Sequence, residues 1–388
     1  AALANGTSAH GYELDDTHEP SRSHPGAVVL SAALAVGMET GASGRDVMAA
    51  AAAGYEVMTR LGMAAGAVKV TEVGFHATAL FGPFGAATAA ARLMGLNAAQ
   101  LAQAWGLALS MTGGSSQFAF EPKGTMVKRM HGGIPAQNGV IAAQLASLGV
   151  EAPVRSFEGE QGFLHLYGHS PEPELLLRKP GEPLQIHAMS FKPYSCCRKF
   201  HSLIDALEQT TDGFTADPHS IDRITVYSPS GSIEKHQMTR PDSVMAAQYS
   251  MPYIVGATLT FGPRRFDAYG SDHHRDETLL AIVDRVEAVL DTDLDRHVPK
   301  AMPNRVRLRF KDGDERSATV IESLGSPEEP LSWDGVYTKA EALVQMTEPS
   351  IDLSGIADAV EALDGMPDVG DLTRRLIVPG YEGAVEAA

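Results

Sequence analysis

Between Val73 and Phe120 this chain carries one formal charge, Arg92. A run that apolar and that rich in alanine has to be covered on most sides, so its helices are expected at the centre of the fold. Its longest uncharged part, Leu93 to Phe120, holds Asn97, Gln100, Gln103 and several Gly and Ser, which suits a buried helix better than a membrane span. Helical spacing continues upstream from Pro25 to about Gly66, interrupted by GASGRD (Gly41–Asp46). The second part, Gly44–Leu61, turns Val47, Tyr55, Met58 and Leu61 toward the core. Downstream, Ala136–Val150 reads as another amphipathic helix and Glu158–Phe163 as a glycine-bearing loop.

The texture changes near Pro180–Ile186. A helix is expected over Ser202–Gln209, and RITVYSP (Arg223–Pro229) alternates as a strand. RVRLRFKDGDERSATVIE (Arg305–Glu322) reads as a hairpin turning at Asp312-Gly313. Between them Met245–Leu259 and Glu277–Leu290 have helical patterns, the latter with Leu279, Ile282, Val283, Val286 and Leu290 on one stripe. Helix signals return at Lys339–Met346 and Ile356–Leu363. The fold class is therefore mainly α. An all-helical domain is expected over residues 1–186, completed by C-terminal helices within 338–388, with a smaller α+β domain over 187–337.

The 388 residues carry a formal charge of −17, the reverse of a nucleic-acid footprint, which needs clustered Lys and Arg. That balance leaves room for a local basic pocket and an anionic small molecule. The only cysteines, Cys196 and Cys197, are adjacent, too few for a disulfide framework or an iron–sulfur cluster and suited to a reducing cytosol. No basic-then-apolar signal segment opens the sequence. No GxSxG or Walker A motif is present, and GPFGAATAAARLMGL (Gly82–Leu96) lacks the strand and the spacing of a nucleotide loop, so close helix packing explains its glycines.

The chemistry concentrates in NGTSAHGYELDDTHEPSRSHPGA (Asn5–Ala27). It holds His10, His18 and His24 with Glu13, Asp15, Asp16 and Glu19, just ahead of an apolar run. Histidine titrates nearest neutrality, so a cluster laid over a core can move protons; a solvated loop with helix caps would use many of the same residues. The histidine spacings do not place two metal ligands on one helical face as HExxH does, so no metal is expected. His76, in GFHATA, stands just before an apolar helix, the place of many purely structural histidines. Two basic islands follow. In KGTMVKRMH (Lys123–His131), Lys128 and His131 share a helical face; FKPYSCCRKFH (Phe191–His201) gathers Lys192, Arg198, Lys199 and His201. Together they could surround an anion.

These segments, with EGEQGF and AQYSMPYIVGATL, resemble in order and over most of the chain the MmgE/PrpD family. That family includes 2-methylcitrate dehydratase, cis-aconitate decarboxylase and iminodisuccinate epimerase. The resemblance implies a large helical domain, a smaller α+β lid, a homodimer, a polar pocket between the two domains, and catalysis without metal or organic cofactor. Family positions match Asp16, Thr17, His24, His76, Lys128, Lys192, His201 and Tyr253. Glu13 stands where the family begins DFDD, Ala77 replaces the proline of GFHPTA, and the loop before His24 is one residue longer than in the decarboxylase. Members also usually carry further helical residues ahead of NGTSAH, so the natural chain is expected to begin earlier.

On this footing His24, His76, Asp16, Lys128 and His201 are the expected catalytic residues. Glu13, Thr17, Lys192, Arg198, Tyr253 and His131 are expected to bind substrate. Lysines would hold carboxylates while two histidines act as base and acid, and dehydration of a 2-methylcitrate-like acid is the expected reaction. Decarboxylation, epimerisation and non-catalytic carboxylate binding are the alternatives.

Overall fold

A computed structural model describes residues 1–121, 125–233 and 236–378. Lys123 and Gly124 of the first basic island, and the end of the expected 338–388 segment, lie outside the described residues. Among the described residues the molecule is mainly α, with two small sheets.

The uncharged run sits at the centre of the helical part. Helices α1 (Ala2–Ala9), α2 (Pro25–Thr40), α3 (Gly44–Ala64), α4 (Ala67–Glu72), α5 (Ala77–Leu93), α6 (Ala98–Leu109) and α7 (Val127–Ser147) follow in order, then the single turn α8 (Phe163–Leu166). Every residue of α5 from Ala77 to Ala91 is buried. It is enclosed by α2, α3, α6 and α7. Small residues permit this: a Cβ on Gly85 would stand 2.8 Å from the Gly54 carbonyl oxygen of α3, too close for any side chain. The helix ends follow local chemistry. Pro25 lies in the first turn of α2, the Ser43 side chain caps α3, and Asn97 with Gln100 forms a capping box on α6. Val28, Met58, Leu61, Leu80, Phe81 and Phe84 anchor the core these helices share, and Val369 reaches it from the C-terminal part.

A second core gathers around Phe200, Leu203, Ile204, Ile224, Val226, Tyr253, Ile254 and Leu308. It lies between helices α9 (His201–Thr210), α10 (Val244–Tyr249), α11 (Met251–Phe261) and α12 (Glu277–Val283) and a sheet of order β4-β3-β5-β6. Numbering strands from the two-residue pair β1 (Asp16–Thr17) and β2 (Ser190–Phe191), this sheet comprises β3 (Ile221–Ser228), β4 (Val286–Leu290), β5 (Asn304–Phe310) and β6 (Glu315–Val320). β5 and β6 form the expected hairpin, with Asn304, Val306, Leu308 and Phe310 buried on one face. The chain closes with α13 (Trp333–Thr347), α14 (Leu353–Glu361) and α15 (Gly370–Arg375), and α15 touches α2.

Four local expectations change. The stripe over Glu277–Leu290 is helical only to Val283; Val286–Leu290 is a strand parallel to β3, with Ile224 opposite Val286. Its Val-rich half satisfies its backbone in the sheet and leaves Leu290 exposed. Met245–Leu259 breaks at Ser250, whose side chain caps α11 ahead of Pro252. Asn5–Ala9 belongs to α1, so the loop begins at His10. Finally, Ala136–Val150 is the second half of α7, which already carries Lys128 and His131 on its buried face.

Candidate active site

The loop between α1 and α2 is polar in sequence and buried in space. His10, Glu13, Asp16, His18 and Glu19 are all buried, because α7, β2 and the Arg198 side chain just ahead of α9 pack over them. His18 is structural. The Ser21 N–H donates to its Nδ1 at 3.2 Å, so its Nε2–H is free to donate to Gln185 Oε1 at 3.1 Å. Asp16 is also fully engaged, its carboxylate accepting from the Gly26 N–H at 2.9 Å and the Tyr55 hydroxyl at 2.7 Å. Burial pushes the Asp16 carboxyl up to about 6 against the pull of the Tyr55 bond.

The main-chain oxygen of Asp16 does something else. It lies 2.7 Å from His24 Nδ1, and a carbonyl can only accept, so the proton of His24 sits on Nδ1 and a neutral ring leaves Nε2 bare. Thr17 Oγ1 is 3.2 Å from the same nitrogen. His24 and His76 occupy the N-cap positions of α2 and α5, where neither side chain caps its helix. Two long helices thus bring their positive ends to one place, which favours bound anions.

The two rings are 6.4 Å apart between centroids, and His10 lies 5.0 Å from His24 and 5.6 Å from His76. His131 comes in from α7, its Nδ1 3.1 Å from His76 Nδ1; one of the pair must donate and the other accept. Burial lowers all four histidines: His10 to about 3, His131 to about 4, and His76 further aided by its imidazole neighbours. In His24 burial outweighs the nearby Asp15 carboxylate. All four rings are therefore neutral at neutral pH.

Basic side chains face this group. Lys128 pairs tightly with Glu13, while burial and the neighbouring Lys192 push its ammonium well below the ordinary lysine value, and Lys192 Nζ lies 3.1 Å from Glu13 Oε2 and 3.0 Å from Asp15 Oδ1. Burial raises the Asp15 carboxyl, but the Lys192 ammonium and the hydrogen bond from His10 pull it down and hold the group ionised. From α13, Lys339 donates to the Leu14 carbonyl at 2.6 Å, and burial lowers its ammonium to about 8.

The structure thus brings Glu13, Asp16, Thr17, His24, His76, Lys128, His131 and Lys192 together. It engages Arg198, His201 and Tyr253 elsewhere. Arg198 binds Glu19 at 3.0 Å and the Leu324 carbonyl, and donates to His201 Nδ1, while His201 Nε2 donates to the Cys196 carbonyl. The Tyr253 hydroxyl donates to the Ala268 carbonyl inside the second core. The tyrosine beside Lys128 is Tyr249, with the ammonium 5.4 Å from its ring centre. Sequence reasoning passed over Tyr249, His10, Asp15 and Lys339. His10 and Asp15 were visible within the histidine-rich loop, and Tyr249 within AQYSMPYIVGATL, four residues ahead of Tyr253; nothing local marked Lys339.

Donor atoms of His10, Asp15 and His24 lie within 4.8 Å of one another, as a cation triad would require. The fit is poor. Both Nδ1 atoms already hold hydrogen bonds, and Lys192 occupies the second Asp15 oxygen, so a metal ion would face a buried ammonium.

Comparison with known proteins follows the same outline. Residues 1–176 match the MmgE/PrpD N-terminal domain and residues 194–364 the MmgE/PrpD C-terminal domain. The chain belongs to the MmgE/PrpD family. It is 28% identical to the cis-aconitate decarboxylase-like protein oryM of Aspergillus oryzae, over 96% of this chain and 81% of that protein. Cis-aconitate decarboxylase of Aspergillus terreus is 28% identical over 98% of this chain and 81% of its own length. The enzyme of that name from Mus musculus is 25% identical, over 98% and 79%. Members of the family with these names are enzymes, and so is this chain.

Proposed function

We propose that this protein is a lyase that releases CO₂ from a small unsaturated tricarboxylate such as cis-aconitate. The observation that carries the reading is the pair His24 and His76, two neutral rings 6.4 Å apart facing Lys128 and Lys192. The relatives' names favour decarboxylation over the dehydration expected from the sequence.

Lys128 and Lys192 take two substrate carboxylates as Glu13 gives way. The bare Nε2 of His24 takes the proton of the carboxyl group that departs. The bond to CO₂ breaks, its electron pair forms the new double bond, and the old double bond takes a proton at its far carbon. His76 supplies that proton from Nε2 as it gains another from His131 at Nδ1, and His131 is recharged from solvent. Each positioned group is worth about 10²–10⁴-fold. Asp16 acts as a positioning residue, fixing the tautomer of His24 through its carbonyl. The reading also takes residues 1–186 with the C-terminal helices as one domain and 187–337 as its lid, with the site at their junction. A homodimer in a reducing cytosol accompanies it, and the exposed side chains of Met126, at the N-cap of α7, and Met130 and Ile134 on it support a partner surface.

Proton NMR of chelator-treated protein in D₂O with cis-aconitate, 2-methylcitrate, citrate and iminodisuccinate tests the reading. CO₂ release from cis-aconitate, with one deuteron in the new methylene group, is expected. Water loss from a citrate would replace the reading with dehydration. Binding without turnover of any acid would mark a non-catalytic relative.

A further inference from the structure

His10 is buried, yet its Nε2 has no hydrogen-bond partner among the described residues. Leaving a buried polar nitrogen unpaired is costly, so the position calls for an explanation. Its other nitrogen is the most tightly held of the cluster. His10 Nδ1 lies 2.5 Å from Asp15 Oδ2, whereas His24 Nδ1 lies 3.5 Å from that oxygen and turns to a peptide carbonyl. An ionised carboxylate only accepts, so Nδ1 of His10 carries the proton and Nε2 is bare. Asp15 is itself fixed by Lys192. The result is a carboxylate-oriented imidazole, the arrangement that steadies the imidazolium formed on taking a proton, set 5.0 Å from His24 and 5.6 Å from His76.

We propose that the His10–Asp15 dyad gives this site a second activity, the reversible removal of a proton from the methylene group next to the substrate's double bond. The inference rests on the unsaturated tricarboxylate reading above and deepens it. The C–H bond breaks, the proton passes to His10 Nε2, and the electron pair spreads over the double bond and the adjoining carboxylate. Return of a proton to either end of this symmetric dienolate regenerates an aconitate, so the step is a 1,3-proton shift without net change. No co-reactant is needed. The His10 proton exchanges with solvent between removal and return, so the shift writes solvent hydrogen into unreacted substrate. Burial keeps His10 neutral before substrate arrives, and a bound polycarboxylate adds to Asp15 in stabilising its charged form.

The test follows wild-type protein with cis-aconitate in D₂O, stopped at partial turnover, with deuterium in the recovered acid and CO₂ release measured together. The expected result is protein-dependent deuterium at the methylene group of the recovered acid. His10→Gln should lower the ratio of exchange to CO₂ release by about 30-fold or more, and Asp15→Asn should lower it in the same direction. CO₂ release with no deuterium in the recovered substrate overturns the inference and leaves decarboxylation standing. So does a folded His10→Gln protein with an unchanged ratio, or a ratio that collapses in His24→Gln instead. Exchange without CO₂ release keeps the dyad's activity and removes the decarboxylase reading. Neither signal ends both. Should His10→Gln fail to fold, the wild-type exchange and the Asp15→Asn ratio still decide.

Discussion

Glu13 has φ +56°, a left-handed conformation that costs a non-glycine residue about 1 kcal/mol, and strain of this kind collects at functional sites. The turn delivers its carboxylate to Lys128 and Lys192, where a substrate carboxylate would otherwise bind. Replacing Glu13 by Ala leaves Lys128 buried without its counter-ion, which should destabilise the fold by about 3–5 kcal/mol. An added tricarboxylate should then raise the melting temperature more in Glu13→Ala than in wild type. Equal shifts, measured by calorimetry with and without cis-aconitate, would show that Glu13 does not occupy the anion site. His24→Gln removes the acceptor fixed by Asp16, and turnover should fall about 10²–10⁴-fold with the melting temperature nearly unchanged. Near-full turnover in that variant would remove His24 from the reaction. At this scale the candidate residues were readable by type, since His24, His76 and Lys128 stood out in the sequence. The wiring was not. Whether Asp15 or Asp16 serves a histidine depends on which way each side chain of an adjacent pair turns, and only the packed loop sets that.

Among the elements, α1 and α7 matter most to the site, since one leads into His10 and the other carries Lys128 and His131. They meet at Gly6, Gly132 and Gly133. A Cβ on Gly133 would lie 2.1 Å from the Leu3 carbonyl oxygen, so Gly133→Ala must push the helices apart. The expected cost is about 1–3 kcal/mol, with turnover falling further than stability because His10 and His131 move relative to each other. Denaturant unfolding and turnover measured side by side check this; a variant with wild-type values of both would deny the contact. Helical periodicity exposed α2, α3 and the second half of α7 in the sequence, because an apolar face has to repeat every 3.6 residues, while α5 stood out by its lack of charge. The pattern over Glu277–Leu290 misled for the same reason. Over a few residues a buried strand and a helix face look alike, and the parallel partner of β4 lies some sixty residues away in β3.

For the whole molecule, the buried neutral histidines set the acid response. His10, His18 and His131 have values pushed down to about 3, 4 and 4, so the unfolded chain binds their protons at higher pH than the folded chain does. Their contribution is intact above about pH 6.5 and is lost as the pH falls. By pH 4.5, His10 and His18 should each cost about 2–3 kcal/mol. Asp16, raised to about 6, acts in the opposite sense, because the folded chain keeps its proton to higher pH, and it offsets part of the loss between pH 6 and 4. His24, His76 and His201 are lowered by burial as well, against only Asp205 and Glu322 raised beside Asp16 among the described carboxyls, which leaves a net decline. The melting temperature should drop steadily between pH 6.5 and 4.5; a flat profile in calorimetry would show that these rings are not held neutral.

The sequence by itself determined the family and the mainly helical class, and named the residue types of a candidate site, because hydrophobic period and an ordered set of motifs are local properties of the chain. Tertiary structure decided which of those residues meet. It set Tyr249 rather than Tyr253 beside Lys128, tied Arg198 and His201 to each other, and placed His10 in contact with Asp15. Such choices depend on distances between segments far apart in the chain and on how each buried polar atom is satisfied, and no spacing along the sequence encodes either.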